Sequence, residues 1–333
     1  MTRKSEALST AASASHPTRS SDSVPIDGLD NRSSRRSEGH PLRELPHCIA
    51  VGVGRSGTTW LHETLTGHVG LPYGVKETDF FYRKYANGID WYKSFFRHCS
   101  PTQPILEICP TYFSSSEAQQ RMKLHIPDCR IICTFREPVE RSYSHYKLMR
   151  HNAWTRADFE EVVSNSREIA EMNHYAANLK GWQKAFGRDN VLICLFDDLE
   201  RDPQGYLRTV CDFVGIPVFR VPPSLVSTRL NTFPTAPRSR RLSQNARHFR
   251  ESLRSHRIYW LDRLLERVGI WAFCFDGGEP FPPLNPKLEK RLKARFLPEV
   301  EALEQLIGRD LSAWKVTAEN HSQPEDATKT RLA

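Results

Sequence analysis

Apolar residues make up 39% of the 333-residue chain, enough to fill one large α/β domain or two small ones, and the formal net charge of +8 favours an anionic partner. No apolar run reaches the roughly 18 residues of a membrane-crossing helix and the first residues lack a secretory apolar core, which excludes a membrane span and points to a soluble, cytoplasmic protein. Six of the eight cysteines (Cys48, Cys109, Cys129, Cys133, Cys194 and Cys211) lie beside or within apolar runs without metal-ligand spacing, so they read as buried, reduced thiols and no metal site is expected.

In chain order, residues 1–46 are crowded with Ser, Arg, Asp and Pro and hold almost no large apolar residues, which predicts a disordered tail. "CIAVGVG" is the first strand, an unbroken apolar run ending in glycines, and "TTWLHETLTGH" follows as a helix with Leu61 and Leu65 one turn apart. "PILEI" (104–108), "CRIICTF" (129–135) and "NVLICLF" (190–196) are further strands. Helical patterns separate them: "SSEAQQRMKLHI", "VERSYSHYKLMR" and "YAANLKGWQKAF", the last with Tyr175, Leu179, Trp182 and Phe186 on one face. This alternation predicts a single α/β domain over 47–316, a central parallel β-sheet flanked by helices, with ligands at the carboxyl ends of the strands. After residue 220 the Pro- and Arg-rich "RLNTFPTAPRSRRL" reads as a long loop. A helical hairpin broken at Pro298 follows, and a second disordered tail covers 317–333.

The first strand-to-helix turn, "GVGRSGTTWL", has the frame of a phosphate-binding loop, but Thr58 stands where that pattern places lysine. Backbone amides in such a turn bind an anion together with the helix amino terminus, and the cationic role passes to Arg55. The neighbouring strand ends in Arg136 where a nucleotide hydrolase would carry a metal-holding Asp, so a second anion pocket is expected there without magnesium. Pro138 starts a helix that turns Ser144 back toward Arg136. Two anion pockets suit a nucleotide with a phosphate at each end of its ribose.

The pair "GVGRSGTTWL" and "FREPVERSYSHY" resembles the two cofactor motifs of sulfotransferases that use 3′-phosphoadenosine 5′-phosphosulfate (PAPS), a family with a phosphate-loop-type fold. The resemblance implies that Gly54, Arg55, Ser56, Gly57, Thr58 and Thr59 hold the 5′ phosphosulfate, that Arg136 and Ser144 hold the 3′ phosphate, and that Trp60 stacks on adenine. "VKETDFFYRKYANGIDWYKSFF" and "ILEICPTYF" are similar to the heparan sulfate and carbohydrate branch, here as a bacterial-type soluble member. By that similarity Glu77 is the general base, Arg55 stabilises the leaving phosphate with help from Lys76, and the acceptor is a saccharide hydroxyl or amine. His62, His68, His145 and His151 read as surface or packing residues, although a histidine serves as base in the cytosolic branch and His145 lies near the site. The chain departs from the branch at Glu107-Ile108-Cys109-Pro110, where many members carry a lysine, and Arg229 or Arg238 stands for a third cofactor contact.

Other readings stay open from the residues alone. Lipid, phenol or peptide acceptors fit the same cofactor motifs, as does a nucleotide-binding protein without chemistry. A nucleic-acid partner is not expected, because the basic charge comes with no recognition helix, zinc spacing or aromatic RNA motif.

Overall fold

The computed structural model describes residues 44–226, 233 and 235–315. The two expected terminal tails therefore lie outside the described residues, apart from residues 44–46, as does Arg229.

Four strands form one sheet: β1 (Cys48–Gly52), β2 (Leu106–Ile108), β3 (Arg130–Phe135) and β4 (Val191–Leu195), in the order β2-β1-β3-β4. All neighbours are parallel, with Cys48 beside both Leu106 and Arg130, and Ile131 beside Val191. The runs are apolar without alternation because helices cover both faces. Ile49, Val51, Ile131 and Cys133 pack on one side with Met122, Leu179, Trp182 and Leu303. Cys48, Ala50 and Ile132 face the other side with Leu61, Leu65, Leu207 and Val210. Each predicted strand is present, and Tyr175, Leu179, Trp182 and Phe186 are all buried along the helix Tyr175–Phe186.

Two expectations are corrected. The terminal hairpin is one continuous helix, Pro286–Ile307, with Pro298 inside it. Leu292, Phe296, Val300 and Leu303 form a single buried stripe across that proline. Burying four such side chains contributes about 1.5–3 kcal/mol each, against roughly 3 kcal/mol for an interior proline, so burial wins. The stretch expected as a long loop also holds regular structure. A strand β5 (Thr235–Pro237) pairs antiparallel with β6 (Gly277–Pro280), and three helices lie between them, Arg240–Ser255, Tyr259–Arg267 and Ile270–Phe275. Ser239 caps the first of these by accepting from the Leu242 amide at 3.4 Å, and Leu253, Trp271, Cys274 and Phe275 close a small core beneath all three. A run of arginines on the outer surface of the first helix had hidden that inner stripe.

Candidate active site

The loop after β1 leads into the helix α1 (Thr58–Leu65), whose N-cap carries no side chain. Gly57 caps it in the left-handed region at φ 89° without a side-chain hydrogen bond, and the first turn has no acidic residue. Only glycine fits at this cap: a Cβ would stand 2.9 Å from Leu199 Cδ2 on a backbone that side chains rarely adopt. The first-turn amides and the helix dipole therefore present partial positive charge to a cavity of ≈ 670 Å³. Arg55, Thr58, Thr59, Arg136, Ser144 and Phe196 are among the residues of its wall.

Arg55 also has positive φ, 76°, and its Nε donates to Ser144 Oγ at 3.0 Å. Ser144 was expected to turn toward Arg136. It binds Arg55 instead, and all three side chains reach the same cavity. The guanidinium of Arg55 stacks 5.0 Å from the Phe233 ring centroid. Burial, with repulsion from Arg136 and Arg141, pushes its pKa down to about 10. Such a cluster of buried like charges is relieved by an anion.

Arg136 follows β3, lies 4.5 Å over the ring of Phe196 and holds Glu140 at 2.8 Å. Glu137 fixes the helix that follows, Pro138–His151, by accepting from the Val139 and Glu140 amides at 3.0 and 2.7 Å. Burial raises the pKa of Glu137 to about 7. One turn on, Arg141 is wholly buried and donates to Asn173 Oδ1 at 2.8 Å and to the Ile169 carbonyl at 3.3 Å, which ties this helix to the segment 169–173. His145 lies beneath the same guanidinium groups. Burial, together with Arg141 and Arg55, pushes its imidazole down to about 3, so it is neutral at physiological pH.

Lys76 Nζ donates to Thr59 Oγ1 at 3.1 Å and to Glu77 Oε1 at 3.0 Å, which joins both residues to the loop through Thr59. The Glu77 side chain keeps 33% of its surface exposed, enough for a substrate to reach it. Next to it, Thr78 is anchored from below by the fully buried Glu107 of β2. That carboxylate accepts from the Thr78 amide at 3.1 Å, the Thr78 hydroxyl at 2.5 Å and the Tyr92 hydroxyl at 2.6 Å, with Tyr112 at 3.3 Å. Burial raises its pKa to about 6 despite those four donors.

Trp60 borders the cavity but is only 5% exposed; its Nε1 donates to the Leu225 carbonyl at 2.9 Å and its ring meets Tyr206 edge-on at 5.6 Å. Gly54 and Ser56 complete the loop, and Ser56 Oγ is buried without a hydrogen-bond partner. Arg238 lies 5.6 Å from the Phe273 ring and is not among the residues of the cavity wall.

Sequence reasoning missed Arg141, Glu107 and Phe233. A carboxylate inside the apolar "PILEI" was a signal that a buried acid must find donors, whereas nothing local marks Phe233.

Residues 45–251 match the family model described as a sulfotransferase domain. Mouse heparan sulfate glucosamine 3-O-sulfotransferase 3B1 is 30% identical over 183 residues, which are 52% of this chain and 47% of that protein. Human bifunctional heparan sulfate N-deacetylase/N-sulfotransferase 3 is 30% identical over 296 residues, 81% of this chain and 31% of that protein. The chain thus spans about half or less of the length of these relatives. Among solved structures, a sulfotransferase from Alicyclobacillus acidocaldarius superposes with a TM-score of 0.60 at 23% identity, covering 82% of this chain and 99% of that one, which shows the shared fold.

Proposed function

The chain belongs to the sulfotransferase family, and we propose that it transfers a sulfuryl group from PAPS to a hydroxyl or amine of a saccharide. The observation that carries this reading is one wall on which the amino terminus of α1, Arg55 and Arg136 converge, with Glu77 one residue link away through Lys76 and Thr59. A glycine N-cap with no side chain over the first turn, a lowered guanidinium pKa and the unpartnered Ser56 hydroxyl all fit an anionic group at this loop. When bound, PAPS supplies an activated sulfuryl group on a nucleotide with a separate 3′ phosphate.

In this reading Gly54, Arg55, Ser56, Gly57, Thr58 and Thr59 hold the 5′ end, while Arg136 and Ser144 hold the 3′ phosphate. Arg55 carries charge to the place where negative charge builds on departure of the phosphate. Glu77 accepts the acceptor proton, and Lys76 keeps its carboxylate oriented through the 3.0 Å contact. His145 is buried and its imidazole is a far weaker base than usual, so the proton is assigned to the exposed Glu77. Both relatives named above carry heparan sulfate in their names, which supports a saccharide acceptor here.

Calorimetric titration with adenosine 3′,5′-bisphosphate, ADP and ATP, with and without magnesium, tests the donor site. Preference for the 3′,5′ compound without metal dependence is expected, and Arg136→Ala should abolish that preference. Tighter binding of ATP with magnesium would overturn the assignment.

A further inference from the structure

The helices Arg240–Ser255, Tyr259–Arg267 and Ile270–Phe275 carry two features that the proposed chemistry does not use. The first is apolar exposure. Among the described residues twelve large apolar side chains are exposed, and seven of them fall here: Leu242, Phe249, Trp260, Leu264, Val268, Ile270 and Phe273. Trp260, Leu264 and Val268 recur every four residues along one face, and Trp260, Val268 and Phe273 each keep 60% or more of their surface in solvent. They are not the remainder of an unfinished core, since Leu253, Trp271, Cys274 and Phe275 already fill the inner side.

The second feature is charge. Residues 238–275 contain nine arginines, no lysine and three acids, a net of +6 within a chain whose net is +8. The acids are turned inward or paired: Asp262 is buried between Arg250 and Arg254 at 2.8 Å each, Glu266 meets Arg250 at 2.7 Å and Glu251 meets Arg247 at 3.2 Å. Arg241, Arg263 and Arg267 remain exposed, each next in sequence to an exposed apolar side chain, Leu242, Leu264 and Val268, and Arg263 lies 5.8 Å over the ring of the exposed Tyr73.

Exposed Trp, Phe, Leu and Ile flanked by arginines match the chemistry of a bilayer interface, where apolar side chains enter the acyl boundary and guanidinium groups meet anionic headgroups. A protein interface would deplete charge at the centre of the patch. We propose that this three-helix element docks the protein onto the surface of an anionic phospholipid bilayer. No described helix is long and apolar enough to cross a membrane, so the contact is with the surface.

The test is flotation of the full chain with vesicles of phosphatidylcholine alone and of phosphatidylcholine mixed equally with phosphatidylglycerol. The protein should float only with the mixture and detach as salt rises. Trp260→Ser with Phe273→Ser should weaken partitioning by about tenfold or more, and Arg241→Gln with Arg267→Gln by about fivefold for each arginine. Both pairs are exposed, and unchanged thermal unfolding confirms that each variant folds. Failure to float, or equal binding to phosphatidylcholine alone, overturns the proposal. A concentration-dependent dimer that the Trp260→Ser, Phe273→Ser variant abolishes, with no vesicle binding, would reassign the face to a second copy of the chain.

Discussion

Replacing Glu107 by Gln separates the charge of the buried carboxylate from its shape. In the native protein the pKa of Glu107 is raised from 4.5 to about 6 by burial. Between those values the folded form keeps a proton that the unfolded form has released, so stability falls as pH rises through this window and then levels off. At 1.36 kcal/mol per pH unit the contribution is roughly 2 kcal/mol. Glutamine removes it, but its amide nitrogen must replace one accepting oxygen. Placed at Oε2, it faces the Tyr92 hydroxyl, which can turn and accept, while the other oxygen still receives the Thr78 amide and hydroxyl. That exchange costs about 1–2 kcal/mol. The two effects nearly cancel at pH 8, where the native carboxylate is charged, and leave the variant about 1–2 kcal/mol less stable at pH 4.5. Urea midpoints for both proteins from pH 4.5 to 8 measure the difference directly. Glu137, raised to about 7, slopes in the same direction but is common to both proteins and drops out. Parallel pH profiles would refute the reasoning, because they would mean that Glu107 titrates alike in the folded and unfolded chain.

Further outcomes are expected at the cavity. Glu77→Gln should bind adenosine 3′,5′-bisphosphate as the native protein does and lose turnover by about 100-fold or more, read in a sulfate-transfer assay with saccharide acceptors. Equal turnover would remove Glu77 from the chemistry. Ser144→Ala takes away both the 3.0 Å partner of Arg55 Nε and the hydroxyl assigned to the 3′ phosphate, and calorimetry should report roughly tenfold weaker bisphosphate binding; an unchanged affinity would remove Ser144 from both roles. Gly57→Ala forces a Cβ to 2.9 Å from Leu199 Cδ2 at φ 89°, so thermal unfolding should show a loss of about 1–3 kcal/mol.

Much of the architecture is legible in the sequence. The apolar runs at 48–51, 131–133 and 191–195 lie in strands of a sheet buried on both faces, and the Gly-rich turn before α1 is a local signal of anion binding. The unbroken terminal helix is not legible, because a proline rule weighs one missing hydrogen bond, whereas the buried stripe from Leu292 to Leu303 depends on what lies opposite.

The sequence by itself determined the strands, the helix that follows the loop and the residue types able to hold anions, because each depends on neighbours within one or two turns. Only the tertiary structure decided that Ser144 braces Arg55 across 89 positions, that Glu107 anchors Thr78 beside Glu77, and that the three helices after β5 leave Trp260, Val268 and Phe273 in solvent. Those pairings follow from how the helices settle on the sheet, since a buried charge or donor takes whichever partner packing brings within reach, however distant it is along the chain.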